Sequence, residues 1–242
     1  MTSIVKVSPY WRGRNWEIVI GAGILIAIAL IFIQGLYFRF HLGGSPVPRD
    51  IPMIEILTLI YALAAFVSWV PSAPIIEQLS VRRLEISALS FFLIISVLLG
   101  PLHYFLWLLY RVLPTSILQS ILGLEIARSP DTITDLFSAT IVYQSFAFIG
   151  LAALTVAVFG KIAGPLISVT AWVAMVFGQS VFYNTQLPWP SIASARYTTI
   201  TTGGQAVAII IFLAGGAFWM WSRGGAHILI QPIFTKLGQI GK

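Results

Sequence analysis

Six long apolar runs are the feature that most restricts the fold of this 242-residue chain. They cover residues 18–38, 54–70, 86–110, 136–159, 166–183 and 204–222. Charged residues make up 9% of the chain and hydrophobic residues 58%, whereas soluble domains carry roughly 25% charged residues. Because a helix crosses a bilayer with about 20 apolar residues, the sequence predicts an all-α polytopic membrane protein. Residues 1–242 form one transmembrane domain with six transmembrane helices.

The distribution of the cations predicts the orientation of these helices. Nine of the 14 Lys and Arg residues fall in the N-terminal segment, the second and fourth loops and the C-terminal tail. Cytoplasmic loops carry the excess of Lys and Arg, so both termini are predicted to be cytoplasmic in a multi-pass protein of the cell membrane. The first run is longer than the 7–15 apolar residues of a signal peptide and no Ala-x-Ala follows it, so it is interpreted as a retained span.

Motifs for catalysis or cofactor binding are absent from the sequence. The three histidines lie far apart, there is no phosphate-binding loop and no Gly-x-Ser-x-Gly motif, and the chain contains no cysteine. His103 is the one ionisable side chain assigned to the interior of a span, and its aromatic neighbours favour an interfacial hydrogen bond over a functional role. The chain is therefore predicted not to be an enzyme and to bind no metal or cofactor. The scattered cations do not indicate nucleic-acid binding.

Three further patterns in the sequence predict local structure. Gly160 and Gly164 flank Lys161, which favours a tight turn over a helix-dimer face. Residues 184–204 are too apolar for a solvated loop and too broken for a span, so they form either two short helices dipping into the outer leaflet or an interfacial loop. Trp219 and Trp221 lie near the end of the last run, where an aromatic belt is expected.

The densest charge cluster of the chain follows the second run. Pro71 and Pro74 either end that span or kink it. The four charged residues that follow are Glu77, Arg82, Arg83 and Glu85. This segment is predicted either to form a short helix across the cytoplasmic face, with charges that suit its dipole, or to be an ordinary positively charged loop.

The overall layout resembles the permease subunits of ABC-2-type transporters. The stretch from Ala73-Pro74-Ile75-Ile76-Glu77 to Arg82-Arg83-Leu84 looks like the coupling-helix region of that family. The resemblance implies that Glu77, Arg82 and Arg83 contact a separate cytosolic ATP-binding subunit, which holds ATP and Mg²⁺, and that a second permease subunit, identical or different, completes the transporter.

The apolar composition favours a hydrophobic or amphipathic cargo, such as a peptide, a lipid-linked molecule or a drug. The N-terminal segment and the first external loop are shorter than in common family members, which leaves the substrate class and the direction of transport open. The alternative function is that of a non-transport polytopic protein, such as an immunity protein or an accessory subunit of a membrane complex. An intramembrane enzyme is a third alternative, disfavoured by the missing ionisable groups.

Overall fold

The computed structural model describes residues 15–33, 37–40, 49–71, 84–112, 134–181 and 202–225. This part of the chain contains five helices and one two-stranded sheet. In chain order the elements are α1 (Trp16–Ile33), β1 (Tyr37–Phe40), β2 (Arg49–Pro52), α2 (Met53–Trp69), α3 (Leu84–Val112), α4 (Thr134–Val181) and α5 (Thr202–Trp221).

The prediction of a predominantly helical fold is confirmed in the described residues, where five helices lie on the six apolar runs and α4 covers both the fourth and the fifth. Two helical stretches, Val142–Gly178 and Thr202–Trp221, are long and apolar enough to cross a membrane. Shorter apolar helical stretches cover Trp16–Ile26, Glu55–Trp69 and Leu84–Leu99. Helix α2 ends at Trp69, two residues before Pro71, as expected where proline removes a helical hydrogen bond.

A short β-hairpin between α1 and α2 was not predicted. The first run was predicted to be helical through residue 38, but α1 ends at Ile33. Strands β1 and β2 pair antiparallel, with Tyr37 opposite Pro52 and Phe40 opposite Arg49. An uncharged run does not reveal this change, because aromatic residues such as those of β1 suit both a strand and an apolar helix.

Helix α4 is broken at Gly160 and folds back on itself. Gly160 has φ 80° and ψ −170°, a conformation accessible essentially only to glycine. Thr155 Oγ1 and Ser168 Oγ lie 2.5 Å apart, whereas 13 residues of straight helix would separate them by about 20 Å. Residues 134–159 and 161–181 are therefore two antiparallel arms. The predicted turn is present, but Gly160 alone makes it, and residues 161–165 are helical.

Pairs of contacts fix the relative directions of the helices. The Arg223 side chain contacts Glu85 and the Phe212 ring packs on Phe92, so α3 and α5 are antiparallel. The next two pairs involve the first arm of α4. The rings of Phe146 and Phe212 lie 4.8 Å apart, and Gly150 meets Gly215 further along both helices, so this arm runs parallel to α5.

These helix directions define two ends of the helical bundle. At the first, α2 ends, α3 begins, α4 turns at Gly160 and α5 ends; we call it the Gly160 end. At the opposite end, Ile51 of β2 packs against Val176 of α4; we call it the hairpin end. Segment 72–83 therefore leaves and rejoins the described helices at the Gly160 end.

An aromatic cluster packs α2, α3 and α5 together near the Gly160 end. Its members are Phe66, Trp69, Phe91, Phe92 and Trp219, all buried. The Trp69 and Phe91 rings stack at 3.9 Å, and Trp219 meets Phe66 edge-on at 4.8 Å. The aromatic-belt prediction is therefore wrong for Trp219, whereas Trp221 is exposed. Sequence spacing did not distinguish them, because both lie within three residues of the same helix end.

Candidate functional site

The three residues predicted to contact an ATPase, Glu77, Arg82 and Arg83, lie outside the described residues. The structure describes the residues on either side of segment 72–83, and on both sides these residues pack into the helical bundle. Pro71 and Leu84 are buried. The two ends of segment 72–83 are thus fixed to the bundle at the Gly160 end, and the contacts that fix them form the candidate functional site.

The end of α5 contributes a turn with a defined hydrogen-bond pattern. The Gly224 N–H donates to the Trp219 carbonyl at 2.9 Å, and the Arg223 N–H donates to the Met220 carbonyl at 3.0 Å. These two bonds are those of a Schellman motif, whose penultimate residue adopts a left-handed conformation and is usually glycine. Here that residue is Arg223, with φ 54°. A non-glycine residue at this position is uncommon.

The Arg223 side chain is held by an acidic residue at the start of α3. Its Nε donates a hydrogen bond to Glu85 Oε1 at 2.7 Å, and the two side chains are 32% and 40% exposed. Partly exposed ion pairs contribute about 0–1 kcal/mol, whereas the left-handed backbone conformation costs a non-glycine residue about 1–2 kcal/mol. The pair therefore does not offset the backbone cost fully and does little for stability. It links the end of α5 to the start of α3.

The same turn also contacts the last residues of α2. Gly225 has φ 79°, and a Cβ atom at this position would lie 2.8 Å from Val70 Cγ2. The Gly225 N–H donates to Ser222 Oγ at 3.1 Å, which closes the turn. Residues 222–225 therefore touch the chain directly before segment 72–83, through Val70, and directly after it, through Glu85.

The contacts of residues 222–225 join the ends of three helices. In the described part of the chain, no group of three or more His, Asp or Glu side chains is placed to hold a metal ion. The site consists of one ion pair, one close backbone contact and the aromatic cluster beneath them. Such contacts position helices relative to one another.

A second polar contact, at the hairpin end, was missed by the sequence reasoning. Glu55 of α2 is 1% exposed and accepts a 2.7 Å hydrogen bond from Trp172 Nε1 in the second arm of α4. The expectation that only His103 is an ionisable residue inside a predicted span is therefore wrong. The available signal was the position of Glu55 one residue inside the run 54–70, since ionisable residues within membrane helices are rare.

We expect Glu55 and Trp172 to be energetically coupled. Glu55→Gln retains an acceptor for the indole N–H and should unfold close to the wild-type temperature. Glu55→Ala leaves that N–H unsatisfied in a buried site and should cost about 1–3 kcal/mol. Thermal unfolding in detergent micelles measures both. Equal stability of the alanine and glutamine variants would show that the hydrogen bond has no energetic role.

Comparisons with known proteins found no match: no protein-family model, no curated protein and no solved structure is similar to this chain. The functional interpretation therefore rests on the layout of the sequence and on the contacts described above.

Proposed function

We propose that the chain is the permease subunit of an ATP-driven transporter of the ABC-2 type, energised by a separate cytosolic ATPase. The observation that carries the proposal is the anchoring of segment 72–83. Its charged residues Glu77, Arg82 and Arg83 stand between the buried residues Pro71 and Leu84. The neighbouring residues Val70 and Glu85 contact the end of α5. A segment pushed by a partner needs such a connection to the helices that it moves.

The surface of the bundle supports a membrane location. Large apolar side chains are exposed on the helices, among them Leu25 of α1, Val97 of α3, Leu166 of α4 and Leu213 of α5. Exposed apolar patches of this extent are unusual in soluble monomers, but acyl chains solvate them in a bilayer. The alternating helix directions suit a chain that crosses the bilayer repeatedly, with segment 72–83 on the cytoplasmic side.

In this mechanism the ATPase binds and hydrolyses ATP with Mg²⁺, and this chain contributes contact residues and a pathway. Arg82 and Arg83 bind an acidic surface of the ATPase, and Glu77 binds a basic one. Movement of the ATPase displaces segment 72–83, and the displacement rearranges the helices against a second permease subunit. The apolar character of the chain favours a hydrophobic or amphipathic cargo.

Affinity capture of the tagged, full-length chain from native membranes tests the proposal. We expect an ATP-hydrolysing subunit to co-purify in a fixed ratio, because the chain has no nucleotide-binding motif of its own. Capture of the chain without an ATPase would remove the main support for transport. Protection of cells against a membrane-active peptide, independent of ATP, would favour the immunity-protein alternative instead.

A further inference from the structure

We propose that the second arm of α4, residues 161–181, is a hinged arm that turns about Gly160 and is held against α2 by the hydrogen bond between Trp172 and Glu55. The inference concerns the helical bundle alone and does not depend on the proposed ATPase. Three observations carry it: the backbone at Gly160, the low burial of the second arm, and the positions of two hydrogen bonds along that arm.

Gly160 interrupts the helical backbone between the two arms. Its φ of 80° and ψ of −170° lie outside the helical region, so the angle between the arms depends on the torsion angles of this one residue. Hinge motions in proteins are absorbed by φ and ψ changes at a few such residues. Close to the hinge the two arms touch through their backbones, because a Cβ atom at Gly164 would lie 2.8 Å from Val156 Cα. This contact provides a pivot for the second arm.

The second arm is much less buried than the first arm. Most of residues 142–159 are buried, whereas the buried residues of 161–178 are Gly164, Ser168 and Val176. In a bilayer, acyl chains are as apolar as the side chains of another helix, so the burial of apolar surface gives little drive for helix association. Packing therefore holds the second arm less firmly than the first. Its large side chains that face outward are Ile162, Leu166, Val169, Val173 and Phe177.

Two hydrogen bonds join the second arm to its neighbours. Ser168 Oγ lies 2.5 Å from Thr155 Oγ1 of the first arm, and Trp172 Nε1 donates to Glu55 Oε1 of α2 at 2.7 Å. At 1.5 Å per residue, Ser168 stands about 12 Å and Trp172 about 18 Å along the arm from Gly160. A rotation about Gly160 moves Trp172 farther than Ser168, so the bond to Glu55 opposes the rotation more effectively.

The free energy that separates the closed and open positions of the arm is small. Beyond Trp172, Val176 packs on Ile51, and this apolar contact can be exchanged for contact with lipid. A single interhelical hydrogen bond contributes modestly in a membrane, so the open position is a minor state that loss of one bond makes more populated. Opening turns the buried carboxylate of Glu55 and the buried hydroxyl of Ser168 toward the acyl chains.

Distances between spin labels in lipid nanodiscs test the hinge, and the cysteine-free sequence makes the labelling specific. Labels on Val97→Cys of α3 and Phe177→Cys of the second arm, both at exposed positions, report the position of the arm. We expect one main distance in the otherwise unchanged chain. Trp172→Phe keeps an aromatic ring but lacks the N–H donor, and it should raise the population of a second, distinct distance several-fold.

Further variants and a second label pair separate the hinge from a general loss of structure. Glu55→Leu removes the acceptor and should give the same second distance as Trp172→Phe, whereas Glu55→Gln retains an acceptor and should keep the main distance. Labels on Val97→Cys and Leu213→Cys, also at exposed positions, do not report on the second arm. This pair should give one unchanged distance in all the variants.

A second distance shared by Trp172→Phe and Glu55→Leu, with an unchanged distance between residues 97 and 213, is the result that we expect. The wild-type distance in both variants would overturn the inference, because packing alone would then hold the arm. A broad, featureless distribution between residues 97 and 177 would also overturn it, because the arm would then lose its helical structure instead of turning as one body.

Discussion

Replacement of Gly215 by alanine is expected to separate α5 from α4 and to destabilise the bundle strongly. The added Cβ would overlap the Gly150 carbonyl oxygen and lie 2.6 Å from Gly150 Cα. These are main-chain atoms, so they cannot move aside as a side chain could. Overpacking in a closely packed interior costs about 1–3 kcal/mol and occasionally more, and we expect at least the upper part of this range.

Gly21→Ala is the matched control for this substitution. Gly21 lies within α1, and a Cβ atom there would meet nothing within 4 Å. Alanine is a better helix former than glycine by about 1 kcal/mol, so the control should unfold at or slightly above the wild-type temperature. Gly150→Ala should resemble Gly215→Ala, and the double variant should cost less than the sum, because both changes disrupt one contact.

Thermal unfolding in detergent micelles measures the three variants against the wild type. The expected order of unfolding temperatures places Gly21→Ala highest, with Gly150→Ala and Gly215→Ala well below it. If Gly215→Ala unfolded together with Gly21→Ala, the close approach of α4 and α5 would be contradicted.

The positions of the helices were predictable from the sequence because they depend on runs of apolar residues, which are visible within a short stretch of the chain. A run without charges marks a segment that can be helical in an apolar environment, and α2, for example, begins and ends within one residue of its predicted bounds. The break between the fourth and fifth runs was also predictable, because Gly160 and Pro165 disfavour helix and Lys161 interrupts the apolar sequence. That Gly160 alone would make the turn was not, since Gly164 offers the same local signal.

The contacts that build the candidate site were not predictable, because they join residues far apart in sequence. In the sequence, Glu85 and Arg223 are charged residues at the boundaries of two apolar runs, and no local pattern predicts that their side chains form a pair. Glu55 appeared in the same way, although its partner Trp172 lies 117 positions away. The hairpin was missed because two four-residue strands are too short for their alternation to stand out beside a long apolar run.

Charge reversal at Arg82 and Arg83 is expected to have the largest effect on function. If these residues bind an acidic surface of the ATPase, the change to glutamate converts attraction into like-charge repulsion, which costs several kcal/mol at an interface. A loss of about 3 kcal/mol weakens binding roughly 100-fold. The variant should still fold and insert, because the buried residues on either side of the segment, Pro71 and Leu84, are unchanged.

The matched control reverses two arginines that the sequence assigns to the opposite side of the membrane, Arg111 and Arg128. This variant carries the same change in net charge as the first, but it leaves the segment between α2 and α3 intact. It should therefore bind and stimulate the ATPase as the wild type does. A loss of activity common to both variants would indicate a general effect of net charge and not a contact at Arg82 and Arg83.

The rate of ATP hydrolysis in vesicles that contain the chain and its captured ATPase tests the central claim most directly. The account predicts a rate several-fold above that of the ATPase alone with the wild-type chain and with the Arg111 and Arg128 control. It predicts a rate close to that of the ATPase alone when Arg82 and Arg83 are both glutamate. Equal hydrolysis with and without the wild-type chain, or full stimulation by the Arg82 and Arg83 variant, would contradict it.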